Sequence, residues 1–190
     1  MTTDTSERAL EDIIVLAMTG RTNLASPYDP AATPALAAGG TGWILGDPKH
    51  YEREFAVDVV QLRAFIEASQ PQTAATLDLG TDGPVRRQFL ARLQGEITKR
   101  GVVDVLRRGI KHGSRVESRD IDLFYGTPTP GNQTAEQKHA SNRFVLVRQL
   151  RYSRDQTRRA LDLALFVNGL PVSTFELKNR LTKQTVADAV

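Results

Sequence analysis

The sequence predicts an α/β (α+β) domain in which helices flank a mixed central β-sheet. Three observations carry that expectation. Amphipathic helical stretches dominate the N-terminal half, β-branched and alternating runs follow, and Asn168-Gly169 between two such runs is a hairpin signal. Residues 6–18 predict a helix N-capped by Ser6, with Leu10, Ile13, Ile14 and Ala17 at helical spacing. Residues 19–48 hold Pro27, Pro30, Pro34, Pro48 and the Gly39-Gly40 pair, and predict an irregular loop or insertion. Residues 51–69 predict one amphipathic helix with Phe55, Val59, Leu62, Phe65 and Ile66 on its apolar stripe. Residues 84–100 predict another, opened by Pro84 and closed before Gly101. The runs 102–106 and 121–125 predict strands, and 126–140 a loop. Residues 143–152, 161–167 and 172–177 predict the remaining strands. The segment LALFV, residues 163–167, is apolar on both faces and so predicts a central strand.

A chain of 190 residues, 40% hydrophobic and 25% charged, fits a single soluble domain spanning residues 1–190. It contains no cysteine, which excludes disulfides, thiolate metal sites, iron–sulfur clusters and a Cys nucleophile, and fits a cytoplasmic location. No apolar run approaches the roughly 18 residues of a membrane span, and the N-terminus lacks the basic and apolar regions of a secretory signal. No membrane partner is expected. The pattern GxxxxGK[ST] is absent, so no ATP site is expected in this chain.

The net charge of +3 hides an uneven distribution. Residues 1–85 carry 5 basic and 12 acidic side chains, whereas residues 86–159 carry 17 basic and 7 acidic. The middle segment is rich in arginine, which pairs bidentately with phosphate, so a nucleic acid is a candidate partner. The alternative is a set of solvated helix faces paired with the acidic N-terminal part.

The chemistry concentrates in residues 161–179, LDLALFVNGLPVSTFELKN. Asp162 lies on one predicted strand, Glu176 and Lys178 on the next, and the last two share a face because side chains alternate along a strand. Charges that interrupt apolar strands are costly unless they are paired or hold a metal. Two converging carboxylates beside a lysine suit a hard cation such as Mg²⁺, with Mn²⁺ as substitute. The alternative is an exposed salt bridge across the hairpin. Register separates the two. A two-residue turn at Asn168-Gly169 sets Asp162 opposite Phe175 and turns Glu176 to the other face. A three-residue loop, Asn168 to Leu170, sets Asp162 opposite Glu176. The metal reading therefore predicts the three-residue loop or an equivalent bulge.

At these residues the sequence resembles a known family. An acid followed 14 residues later by Glu-x-Lys on a hairpin is the PD-(D/E)XK nuclease pattern. The fuller string, with NGLP followed by ELKN, is similar to the N-terminal endonuclease domain of the restriction (R) subunit of type I restriction–modification enzymes. The segments GIKHGSRVESRDIDLFYGTP, NRFVLVRQLRYS and FIEASQPQTAATL extend the likeness over most of the chain, loosely over residues 19–48.

The resemblance implies a restriction-endonuclease-like fold and metal-dependent hydrolysis of double-stranded DNA without sequence readout of its own. It implies that Asp162 and Glu176 bind the metal, that Lys178 is catalytic, and that Glu11 is a further metal-binding acid, with Glu7 and Asp12 competing for that role. It implies as partners the methyltransferase and specificity subunits, and ATP-dependent motor domains outside this chain, all in a prokaryotic cytoplasm. The family's Gln-x-x-x-Tyr motif lies further beyond ELK than Val190. Arg148, Arg151, Arg158 and Arg159 are the candidates for gripping the DNA backbone. Two other readings stand beside this one. The chain can be a DNA- or subunit-binding module inactive in isolation, or another PD-(D/E)XK nuclease such as a repair enzyme.

The remaining polar residues carry less. His50, His112 and His139 lack ligand spacing. Asp120 and Asp122 form a second acid pair, better read as strand-end solvation or pairing with Arg119. Trp43 reads as a packing anchor. Gln149, beside Arg148, can contact a phosphate, support the site, or make a plain structural hydrogen bond.

Overall fold

A four-stranded sheet in the order β1-β6-β7-β8 organises the chain. Its strands are Ile44–Leu45 (β1), Phe144–Leu150 (β6), Leu161–Val167 (β7) and Leu170–Phe175 (β8). The computed structural model describes residues 7–20, 40–113, 118–153 and 160–178. β1 runs parallel to β6, with Ile44 beside Val145, while β7 and β8 form a hairpin, so the sheet is mixed. Together with the helices below it makes the fold α/β, as the sequence predicts. The described residues gather into two compact units. The first draws on Met1–Lys49, Phe144–Leu165 and Ser173–Val190, the second on His50–Arg143 and Phe166–Val172.

In the first unit helix α1, Glu7–Thr19, packs on the sheet. Val15 meets Leu45, Leu146 and Leu163, with Ile14, Met18, Trp43, Leu165 and Leu177 around them. The buried face of α1 is Glu11, Val15 and Thr19, not the predicted stripe; Leu10, Ile13 and Leu16 are exposed. The helix is turned because Glu11 points inward to partners on β6, described below. Trp43 is the expected packing anchor, its ring 5.6 Å from Phe144. The predicted cap Ser6 and residues 21–39 of the predicted loop lie outside the described residues.

The second unit is mostly helical. The predicted helix over residues 51–69 begins only at Val59. Before it Tyr51–Glu52 (β2) and Val57–Asp58 (β3) form a small antiparallel ladder. Ala56 in the left-handed region closes it, and the Asp58 side chain then caps α2, Val59–Ser69, by accepting from Gln61 N–H at 3.0 Å. The apolar stripe is therefore real, but a cap interrupts it. Pro71 opens α3, Pro71–Leu77, and Pro84 opens α4, Pro84–Arg100.

Residues 102–106, predicted as a strand, belong to helix α5, Val102–Arg108. Asp104 bridges Arg100 and Arg108 one turn to either side, and Val105 and Leu106 are buried, so packing and i,i+4 pairing override β-propensity. The second predicted strand, 121–125, is found as Ser118–Ile121, beginning three residues earlier. Ile110–Gly113 (β4) pairs with Ser118–Ile121 (β5), and Ile110 faces Ile121. Inside the predicted loop over 126–140, Asn132 caps α6, Gln133–Ala140, through Ala135 N–H.

The hairpin closes by a two-residue turn, not the expected three-residue loop. Asn168 and Gly169 sit at φ 51° and 83°, the doubly left-handed geometry of a type I′ turn. The tip is buried against α2. Asn168 Nδ2 donates to Leu123 O and to Asn142 Oδ1, its Oδ1 accepts from Arg143 N–H, and its own N–H donates to Arg143 O. Gly169 O accepts from Asp58 N–H at 2.8 Å. A Cβ on Gly169 would meet Asp58 O and lie 2.7 Å from Leu62 N, so only glycine fits. Gly169→Ala is expected to destabilise the protein by about 2 kcal/mol or more in urea denaturation, because both φ and the contact are wrong for a side chain.

Burial pushes the Asp58 carboxyl up from 3.8 to about 6, against the opposing pull of Gln61 N–H, His50 and Arg143. The folded protein thus keeps a proton that the unfolded chain releases. The stability that neutral Asp58 contributes is present below the lower value and lost as pH rises through the higher one. Asparagine keeps the cap and does not titrate. The stability of wild type relative to Asp58→Asn should therefore fall by about 3 kcal/mol between about pH 3.5 and about pH 7, read by urea denaturation at each pH.

Candidate functional site

All the site geometry lies in the first unit. Strand β6 reads FVLVRQL, apolar until Arg148 and Gln149. In a regular strand these neighbours point to opposite faces. Gln149 instead sits at φ 48°, and the local kink lets both side chains reach Glu11. Arg148 Nε donates to Glu11 Oε1, and Gln149 Nε2 donates to Glu11 Oε2 at 3.0 Å. Arg148 Nη2 also holds Asp12 Oδ1 at 2.6 Å. Glu11 is only 5% exposed, so its charge needs those donors.

Gln149 Nε2 also reaches Asp162 Oδ1 at 3.3 Å. The other oxygen of Asp162 accepts from Leu177 N–H at 2.7 Å. That bond explains how the triad assembles without the three-residue loop. A regular ladder from the observed turn would set Asp162 opposite Phe175 and turn Glu176 away. The strand ends at Phe175, however, and the alternation ends with it. Leu177 packs against the Val15 cluster and hands its N–H to Asp162, which leaves Glu176 and Lys178, on either side of it, exposed.

Glu176 lies close enough to Asp162 for the two carboxylates to act on each other. Partial loss of water around the otherwise exposed Glu176 carboxyl raises its pKa, the negative charge of Asp162 raises it further, and Lys178 opposes both. Two carboxylates pressed together, with one held toward its neutral form, make an arrangement that a divalent cation relieves. Among the described residues no three acidic or imidazole side chains come close enough to share an ion. Glu11 is linked to Asp162 through Gln149. Two carboxylates plus water oxygens are an adequate set for Mg²⁺, which keeps several waters, so the donor chemistry fits that ion.

The other candidates are placed elsewhere. Arg148 is committed to Glu11 and Asp12 within the fold, where the sequence suggested a phosphate contact. Arg151 is exposed, and Arg158 and Arg159 lie outside the described residues. Much of the arginine-rich segment is internally paired: Arg86 with Glu52, Arg87 with Glu54, Arg92 and Arg100 with Glu96, and Arg108 with Asp104. His112 lies edge-on to Phe89, 5.3 Å between rings, and burial first and Arg92 second push its pKa down. His139 Nδ1 is 2.9 Å from Tyr125 O. Asp122 accepts from the Tyr125 hydroxyl, and exposed Asp120 faces Lys111 rather than Arg119. Sequence reasoning missed Asp12 as the second partner of Arg148. The available signal was the Arg-Gln pair interrupting an apolar strand, which demands acidic partners.

A mixed sheet with helices, carrying two neighbouring carboxylates and a lysine where a hairpin strand ends, defines an α/β domain with a candidate cation site. The family of the type I restriction enzyme R protein N terminus matches residues 49–190, and the chain belongs to it. No curated protein and no solved structure matches the chain. No helix among the described residues is long and apolar enough to cross a membrane.

The Glu11–Arg148 pair is the part of the site most open to a stability test. Arg148→Met leaves Glu11 buried without its counter-ion and should cost about 3 kcal/mol or more in urea denaturation, whereas an exposed pair would cost under about 1 kcal/mol. Glu11→Gln in the Arg148→Met background should recover part of the loss.

Proposed function

We propose that this chain is the metal-dependent DNA endonuclease domain of a type I restriction enzyme R subunit. The observation that carries the reading is the Leu177 N–H bond to Asp162 at the end of β8, which brings Glu176 and Lys178, on either side of Leu177, near that carboxylate. The membership in the R-protein family supports the same reading. Asp162 and Glu176 would hold Mg²⁺. When bound, that ion supplies Lewis-acid polarisation of a phosphate oxygen and eases deprotonation of water.

The rest belongs to the chain's own residues. Leu177 N–H and Gln149 orient Asp162. Lys178, exposed beside Glu176, stabilises charge growing on the phosphate or orients the attacking water. Arg151, Arg158 and Arg159 would position the DNA backbone without reading bases. Sequence readout would fall to the specificity subunit and DNA translocation to the ATP-dependent motor, with the methyltransferase completing the complex in a prokaryotic cytoplasm.

The test is calorimetric titration with Mn²⁺, together with nicking of supercoiled plasmid in Mg²⁺. Wild type should bind Mn²⁺ and nick, and Asp162→Ala and Glu176→Ala should do neither. Lys178→Ala should bind Mn²⁺ nearly as wild type does and lose about a hundredfold or more in nicking rate. Equal Mn²⁺ binding by wild type and Asp162→Ala, or none by either, would sink the reading. Metal binding without nicking would favour a binding module over an active nuclease.

A further inference from the structure

Gln149 occupies a position that packing does not explain. Its side chain is exposed, yet its backbone is held at φ 48°, a region that L side chains rarely adopt. The amide nitrogen carries two N–H groups, and both are used. One goes to Glu11 Oε2 at 3.0 Å, the other to Asp162 Oδ1 at 3.3 Å. Glu11 cannot yield easily, because it is buried and its second oxygen is held by Arg148. Asp162 is therefore gripped at both oxygens, by Gln149 on one side and by Leu177 N–H on the other.

We propose that Gln149 is a positioning residue that fixes the Asp162 carboxylate for a divalent cation, with Glu11 as its anchor and not as a ligand of that cation. The inference rests on the nuclease reading above. It assigns the strained backbone a purpose: the kink at Gln149 lets one amide span a buried carboxylate and a half-exposed one. It also gives buried Glu11 a role that needs no direct approach to the cation, in keeping with the absence of a three-acid cluster among the described residues.

Glycine at this position separates the two functions of Gln149. It accepts the left-handed backbone with less strain and removes the amide. A residue kept only for the fold could be replaced by glycine without consequence at the site. The experiment compares wild type, Asp162→Ala and Gln149→Gly as the 190-residue chain, by calorimetric titration with Mn²⁺ and by the Leu177 amide signal in ¹⁵N spectra of the metal-free protein.

The expected result is a folded Gln149→Gly protein whose Mn²⁺ dissociation constant is raised about tenfold to a hundredfold, the usual effect of losing a group that orients a ligand. Its Leu177 amide should shift before any metal is added, because the Asp162 carboxylate is released at one oxygen. Wild-type affinity in Gln149→Gly, with Asp162→Ala failing to bind, would overturn the role of Gln149 and leave the nuclease reading standing. Weakened binding with an unmoved Leu177 amide would also overturn it, since the loss would not pass through Asp162. Failure of wild type to bind Mn²⁺, or equal binding by Asp162→Ala, would overturn both. If circular dichroism shows Gln149→Gly unfolded, Gln149→Asn takes its place under the same outcomes, since asparagine tolerates the left-handed region but is one methylene too short to span both carboxylates.

Discussion

The turn at Asn168-Gly169 is the constraint from which the hairpin follows. A type I′ turn forces positive φ at both residues, which asparagine tolerates and glycine prefers. Here the pair is also buried. Every polar atom of the Asn168 side chain is bonded, to Arg143, Leu123 and Asn142, and the Gly169 carbonyl receives the N–H of the α2 cap residue. A half-satisfied buried amide would cost more than it contributes, so the fully bonded one specifies a single arrangement. The strands leave that turn with their register set, and everything further along β7 and β8 inherits it. The NGL part of the NGLP string is thus a folding device, whatever chemistry lies beyond it.

Register alone would have kept Asp162 and Glu176 apart. Their meeting depends on a second device of a different kind, the end of β8. Where ladder pairing stops, the backbone N–H of Leu177 is available for a side-chain acceptor, and its apolar side chain sinks into the Val15 cluster. Burial of one residue presents the two beside it. Arginine chemistry works in the opposite direction. The positive excess of the middle segment looks like a polyanion surface in the sequence, yet Arg86, Arg87, Arg92, Arg100, Arg108 and Arg148 all meet carboxylates of the same chain. Net charge along a sequence counts side chains before the fold has paired them.

Much of this was legible in the sequence, for identifiable reasons. Helix α4 announces itself by Pro84 and Gly101, and β7 by an apolar run against a hairpin signal, because local chemistry and tertiary need agree there. The failures fall where they disagree. Residues 102–106 are β-branched but sit between glycines at a spacing that lets Asp104 pair with Arg100 and Arg108. The stripe through Phe55 spans a cap that only the buried Asp58 reveals. The face of α1 was misjudged because hydrophobic periodicity cannot anticipate that a glutamate will be drawn inward by a partner more than a hundred residues away. For the candidate site the residue types were readable, and the way they meet was not. The alternation rule holds within a strand, and Glu176 lies just outside one.

That position, one residue past the ladder, reconciles two demands that conflict inside a sheet. A carboxylate that holds a cation must be fixed, and fixing it within a β-strand means burying charge at a cost of several kcal/mol. A lysine that meets a phosphate must be exposed. In the proposed site a strand end meets both with ordinary parts. Asp162 stays in the ladder, half-buried and held by two donors, while Glu176 and Lys178 stand in solvent on either side of an anchored leucine. The cost that remains is the partial desolvation of Glu176 together with the repulsion of the two carboxylates, which both raise the Glu176 carboxyl. The network behind them, in which Arg148 neutralises Glu11 and Glu11 anchors Gln149, keeps the inner carboxylate in place despite that repulsion. Strain in the backbone at Gln149 and repulsion at Glu176 thus both bear on the one residue, Asp162.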